Sequence, residues 1–168
     1  MSAVEVIGYT DGGCEPNPGI GGWGFLLVHV ATGTSLVSHG GDLDSTNNRM
    51  EYTAAIRLLE SLKRPTVVEI RTDSQLLVNT MTQWVEGWRK KGWKKAGGKP
   101  VKNVELVKTL HRLCQEHTVT WKWVRGHQGE PGNEFVDALC QRAIERIRRG
   151  EDPGDHQRCS EPPVSVTV

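Results

Sequence analysis

Asp11, Glu51, Asp73 and Asp137 stand where charge works against folding. Asp11 ends the apolar run Val4 to Thr10, and Asp73 ends a second run, Val67 to Thr72. Glu51 opens a helical pattern whose apolar members Ala54, Ala55, Leu58 and Leu62 lie three, four, seven and eleven residues on, so it shares their inward face. Asp137 stands similarly toward Cys140 and Ile144. Carboxylates at strand ends and on inward helix faces cost stability unless something neutralises them. Four converging on one place would repel strongly and call for divalent cations. The chemistry that suits such a site is phosphoryl transfer. Hydrolysing a phosphodiester needs a water held in line with the leaving oxygen, and two hard cations about 4 Å apart hold both. Mg²⁺ prefers carboxylate, water and phosphate oxygens, with Mn²⁺ as a substitute. Taken singly, a strand-end Asp is more often a turn former, Asp73-Ser74 a helix cap, and Asp137 a solvated helix residue.

The elements that must position these residues read as alternating strands and helices. Residues 4–10 read as a strand, the Gly- and Pro-rich stretch 11–22 as a loop, and residues 23–30 and 35–40 as two further strands around a turn at 31–34. Short connections favour an antiparallel meander. A helix follows, capped near Thr46 or Asn47 and running to about Lys63, where Pro65 marks its end. Residues 66–72 read as a strand and 74–81 as a short helix. Val104, Val107, Leu110 and Cys114 recur at helical spacing within 103–116, while Val119, Trp121 and Trp123 alternate with polar residues as in a strand. A polar loop, 125–132, leads to a last helix over 133–149. The pattern predicts a mixed sheet with helices packed on it. Residues 150–168 lose periodicity and are rich in Pro, Asp, Glu, Gln and Ser, which predicts a disordered tail. The globular domain is then residues 1–149.

A chain of 168 residues is one ordinary domain with room for a proper core. Its net charge of +1 conceals an uneven distribution. Between Trp84 and Lys102, seven basic residues stand against Glu86 alone. A basic block on a mildly acidic remainder suggests a polyanion docking at one place. The cysteines Cys14, Cys114, Cys140 and Cys159 form no C-x-x-C pair and no zinc-like cluster. Neither a basic leader with an apolar core nor a membrane-length apolar stretch is present. Free thiols in a reducing cytoplasm are the expectation.

Several short pieces, in order, carry a family resemblance: Tyr9-Thr-Asp-Gly-Gly-Cys14, Asn17-Pro-Gly19, Thr46-Asn-Asn-Arg-Met-Glu51, Thr72-Asp-Ser-Gln75, Gly126-His127, and Asn133-Glu134 with Asp137. Over roughly residues 3–149 the chain resembles the bacterial type 1 ribonucleases H, enzymes that cut the RNA strand of RNA–DNA hybrids. Each piece alone is weak; the ordered set is specific. The stretch 84–102 looks like the basic protrusion of bacterial members, which retroviral versions often lack. The resemblance implies the ribonuclease H fold, an α/β five-stranded mixed sheet of antiparallel meander plus parallel strands, with helices on both faces. It implies a monomer with no membrane association and two Mg²⁺ per active site. Asp11 would bridge the ions, with Glu51 and Asp73 on one side and Asp137 on the other. His127, on a loop, would aid proton transfer or product release, a task its near-neutral pKa suits.

Substrate recognition must find the 2′-hydroxyl that separates RNA from DNA. Asn17, Asn47 and Gln75 are neutral amides beside the acidic residues and both donate and accept. By resemblance they face the minor groove, with Cys14 nearby and Thr46 at a DNA phosphate. The plainer reading, compatible with the first, has Asn47 capping a helix and Asn17-Pro18-Gly19 forming a turn. Trp84 and Trp88 share one helix face, a spacing more often found in cores than in ligand platforms. Arg89, Lys90, Lys91, Lys94 and Lys95 are too close to be mere solvating charge, so phosphate binding is expected. Val28 departs from the family: relatives often carry arginine there, so one DNA-side phosphate contact is in question. A junction resolvase of the same fold would keep the carboxylates without the amides. A hybrid-binding module without catalysis would not need all four carboxylates.

Overall fold

The computed structural model describes residues 3–126 and 128–168. The elements are β1 (Val6–Glu15), β2 (Gly19–His29), β3 (Ser35–Ser45), α1 (Asn47–Glu60), β4 (Val67–Thr72), α2 (Gln75–Asn79), α3 (Val85–Lys90), α4 (Val104–Glu116), β5 (Thr118–Trp123), α5 (Pro131–Arg148) and β6 (Asp155–Cys159). One sheet runs β5-β4-β1-β2-β3-β6. β1, β2 and β3 form the antiparallel meander, and β4 pairs parallel with β1 and with β5. Two cores lie on its two faces. One gathers Val6, Phe25, Leu58, Leu59, Val68 and Leu110 beneath α1 and α4. The other gathers Ile7, Tyr9, Leu26, Val28, Val136 and Leu139 beneath α5. Alternate residues of β1 thus feed opposite cores, as a strand covered on both faces requires.

Two expectations give way here. The stretch 11–22 is mostly strand: β1 continues to Glu15 and β2 begins at Gly19, with register running from Asp11↔Gly24 to Glu15↔Ile20. The glycines are there for close packing. A Cβ on Gly12 would lie 2.3–2.5 Å from the Met50 carbonyl group and the Glu51 nitrogen, and one on Gly22 would lie 2.4 Å from the Cys140 carbonyl oxygen. Bare backbone at these positions lets α1 and α5 settle onto the strand ends.

The second correction concerns the tail. Residues 155–159 form a sixth strand, antiparallel to β3 from Ser35↔Cys159 to His39↔Asp155, where a disordered segment was expected. Side chains of β3 hold it. Ser38 donates its hydroxyl proton to the Asp155 carbonyl at 3.0 Å, Ser35 to that of Glu161 at 2.9 Å, and His39 Nδ1 lies 2.7 Å from the Pro153 carbonyl. Val164 and Val166 then pack against the α5-side core. Backbone pairing to an open sheet edge needs no apolar periodicity, so composition could not announce it.

From Gln75 to Lys90 the chain is helical throughout, with one wider π turn over Thr80–Trp84. Insertions of this kind re-aim the residues that follow. Trp84 emerges 39% exposed rather than in the core. Trp88, half-buried, packs against the α1-side core.

Candidate active site

Asp11 and Asp73 meet because of the parallel register. β1 and β4 pair through Thr10↔Thr72, and the two carboxylates are the next residue on each strand. They stand where the parallel pairing of β1 and β4 ends, the side on which open α/β sheets place their ligands. Glu51 descends from the second turn of α1, whose start is set by Thr46: its hydroxyl accepts the Arg49 N–H at 3.2 Å. The bare Cα of Gly12 lets that helix come down onto β1. Asp137 comes from α5 on the other side. Oxygens of Asp11, Glu51 and Asp73 lie within 4.8 Å of one another. All four carboxylates line one cavity of about 280 Å³, together with Asn47, Asn48 and Gln141. A larger cavity, about 760 Å³, opens at the far ends of β2 and β3 and is lined by no carboxylate.

The electrostatics of this cluster are adverse. Asp11 is 7% exposed and Glu51 9%. Burial first, then the charges of Glu51, Asp73 and Asp137, raises the pKa of Asp11 far above the carboxylate range. Burial and Asp73 raise that of Glu51. Glu51 Oε1 is buried with no hydrogen-bond partner among the described residues. A buried, unsatisfied carboxylate oxygen beside two like charges fits the coordination of a divalent cation. The grouped donors are carboxylate oxygens, which fit Mg²⁺ or Mn²⁺ rather than a soft metal; Cys140 also lines the cavity, but burial and the neighbouring carboxylates push its thiol pKa up and keep it protonated.

The remaining expected residues fall into two groups. Near the carboxylates, the Asn47 side-chain oxygen accepts the Cys14 N–H at 2.7 Å, and the Asn17 side-chain oxygen accepts the Asn47 N–H at 3.1 Å. Asn17, Asn47 and Cys14 are therefore brought together, fastening the β1–β2 connection to the start of α1. Gln75 is exposed at the first position of α2, two residues beyond Asp73. Away from the carboxylates, Trp84 and Trp88 lie 5.9 Å apart at a 38° tilt. With Lys95, Tyr52 and Val101 they line a second cavity of about 410 Å³. Lys90, Lys91 and Lys94 are exposed nearby, while Arg89 is paired with Glu86 at 3.0 Å. The protrusion turns back through Trp93, which has φ +66 and rests edge-on against His111. His127 lies outside the described residues. Val28 is buried in the α5-side core, so it makes no phosphate contact.

Sequence reading passed over several cavity residues. Asn48 and Gln141 line the carboxylate cavity, and Lys102 lines the tryptophan cavity. Gln141 was detectable: it lies four residues after Asp137, one helical turn along the same face.

Comparison with known proteins agrees with this geometry. The RNase H family model matches residues 3–145. A ribonuclease H of Cupriavidus necator is 50% identical over 145 residues, covering 86% of this chain and 99% of the relative. A ribonuclease HI of Pseudomonas syringae pv. tomato is 50% identical over 140 residues, covering 83% and 92%. Among solved structures, LC9-RNase H1, a type 1 RNase H with the type 2 active-site motif, aligns with a TM-score of 0.77 at 27% identity, covering 98% of this chain and 79% of that one. LC11-RNase H1 in complex with an RNA/DNA hybrid aligns at 0.64 and 27%, covering 85% and 99%. An acidic cluster where the parallel pairing of β1 and β4 ends, within a matching fold and sequence, means that this chain belongs to the ribonuclease H family of enzymes.

Proposed function

We propose that the protein hydrolyses the RNA strand of RNA–DNA hybrids at internal positions, leaving 5′-phosphate and 3′-hydroxyl ends. The observation that carries this reading is the convergence of Asp11, Glu51 and Asp73 within 4.8 Å, with Asp137 on the same cavity. Those four residues would hold two divalent cations, Mg²⁺ or Mn²⁺. When bound, the cations supply positive charge that activates a water and offsets charge building on the leaving oxygen. The protein's own contribution is placement. Buried walls keep the carboxylates from dispersing into water, and their mutual repulsion is retained for the ligand to relieve. His127 would pass a proton to the leaving group or ease product release, as the family resemblance implies, so its loss slows turnover without abolishing it.

Strand choice rests on the amides. The side-chain oxygens of Asn17 and Asn47 already accept backbone N–H groups. Their NH₂ groups are thereby oriented, and with Gln75 they would donate to the 2′-hydroxyls and base edges of the minor groove. Thr46 and Cys14 complete that side. Trp84, Trp88, Arg89, Lys90, Lys91, Lys94 and Lys95 would grip the DNA strand, whose phosphates position the duplex without specifying sequence. The relative solved with an RNA/DNA hybrid supports the substrate class.

We take residues 1–149 with the protrusion 84–102 as the catalytic unit, acting as a monomer. Four free cysteines suit a reducing, cytoplasmic setting. No helix among the described residues is long and apolar enough to cross a membrane.

The test is cleavage of an end-labelled hybrid against matched duplex DNA and duplex RNA in Mg²⁺. Internal RNA cuts in the hybrid alone, with 5′-phosphate ends, are expected. Cyclic 2′,3′-phosphate products would remove the metal-activated water, and cutting of duplex DNA would favour a junction nuclease.

A further inference from the structure

Beneath the carboxylates, on the α5 face of the sheet, lies a polar chain with a buried centre that the chemistry above does not use. Tyr9 is fully buried and Arg71 5% exposed, cross-strand neighbours in the β1–β4 register. Arg71 Nη1 donates to the Tyr9 hydroxyl oxygen at 2.8 Å, and Arg71 Nε donates to Glu69 Oε2 at 2.7 Å. The Tyr9 hydroxyl in turn donates to Glu130 Oε1. Glu130 occupies the N-cap position of α5, yet its side chain makes no cap hydrogen bond; it reaches for the tyrosine instead. The ring completes the grip. A Cβ on Gly132 would lie 2.4 Å from Tyr9 Cε2, so the first turn of α5 rests directly on the aromatic face.

Each member is tied to a carboxylate of the site. Tyr9 precedes Asp11 by two residues and Arg71 precedes Asp73 by two, the repeat that puts strand residues on one face. Glu130 precedes Asp137 by seven, about two helical turns. Asp11 and Asp73 are already locked to each other by strand pairing. Asp137 is not, because it arrives on a helix that could slide along or rotate over the sheet.

We propose that Tyr9, with Arg71 and Glu130, is a positioning device that sets the height and rotation of α5 and so places Asp137 against Asp11 and Asp73. The device rests on the assignment of these carboxylates as the metal-holding set. A desolvated guanidinium fixed by Glu69 and the Tyr9 ring, 5.5 Å away, is a rigid anchor. Among the described residues, the hydroxyl is the hydrogen-bonded link that passes that rigidity to α5.

Tyr9→Phe keeps the ring and removes that link; Glu130→Ala removes it from the other side. Expected for each is a fall in kcat of about tenfold on hybrid substrate with KM changed less than about twofold, the signature of misplaced catalytic groups. Calorimetric Mn²⁺ binding without substrate should weaken several-fold, and amide exchange in the first turn of α5 should quicken. The double variant should be no worse than either single, since one link is broken in all three. Glu130→Gln should restore wild-type behaviour, because its amide oxygen still accepts the hydroxyl. The proposal is overturned if Tyr9→Phe or Glu130→Ala lowers only Tm, leaving kcat, Mn²⁺ affinity and exchange as in wild type, or if the two losses are additive. Should Tyr9→Phe not fold, half-exposed Glu130→Ala carries the same readouts. Wild-type protein that cannot cut hybrids would refute the proposed function, while Mn²⁺ binding and exchange, needing no substrate, would still decide the role of Tyr9.

Discussion

Asp11, Glu51 and Asp73 are like charges confined within 4.8 Å behind buried walls, whereas Lys90, Lys91, Lys94 and Lys95 are like charges spread over an exposed protrusion. The first cluster costs the fold stability and depends on strand register, helix seating and one missing Cβ. The second costs little, since water and salt screen it, and the fold barely depends on it. Electrostatic effects should therefore be steep and nearly all-or-none at the carboxylates, and graded and salt-dependent at the protrusion.

Asp11→Asn should break the comparison most sharply. Mg²⁺-dependent cleavage of hybrid should disappear, while the metal-free protein becomes more stable by about 1 kcal/mol, as burial and like charge no longer oppose ionisation. The sign follows from linkage. Asp11 and Glu51 have folded pKa values raised above their unfolded ones. Their contribution is fully present below the unfolded value, near pH 4, and is lost as pH rises toward neutrality and beyond. Thermal melts in chelator from pH 4 to 8 should fall with pH in wild type and fall less in Asp11→Asn. Near wild-type turnover by that variant would end the metal assignment.

A pair of glycine substitutions tests the same contrast in packing. Gly12→Ala forces a methyl into the backbone of Met50 and Glu51. It should cost about 3 kcal/mol by overpacking and lower kcat as α1 lifts. Gly87→Ala, in α3 with nothing within 4 Å of the added atom, should gain about 0.5–1 kcal/mol from helix propensity. Denaturant melts decide; equal effects at the two sites would mean that close approach is not what holds Glu51 over β1.

The smallest change in turnover is expected from replacing Lys90, Lys91, Lys94 and Lys95 together by alanine. KM should rise with kcat little changed, and each lost phosphate contact should flatten the log–log salt dependence by roughly 0.7–0.9. A salt titration giving the wild-type slope would leave these lysines as solubilising charge alone.

Much of the site was legible in sequence because its residues occupy anomalous places. Charges ending apolar runs, or on the apolar face of a helix, betray themselves against the periodicity around them. Motif order pointed to the amides, and the structure brings Asn17 and Asn47 together at the start of α1. Strand extents were not, since Gly and Pro in 11–22 read as loop until the helices that need those glycines are in place. Trp84 escaped too, because helical periodicity assumes 3.6 residues per turn and the π turn at Thr80–Trp84 breaks that phase. The sixth strand stayed hidden because its partners are backbone groups and β3 hydroxyls, which leave no pattern in the segment itself.

By itself, then, the sequence determined which residues carry charge, which faces are apolar and in what order strands and helices come, all of which follow from local chemistry and periodicity. Tertiary structure alone decided what lies beside what. The Thr10↔Thr72 register brings Asp11 to Asp73, the bare Gly12 backbone brings down Glu51, and the Tyr9–Arg71–Glu130 chain seats α5 with Asp137. Those contacts join residues far apart in the chain, and their energies depend on burial and mutual distance, quantities that come into being only when the sheet closes between its two cores.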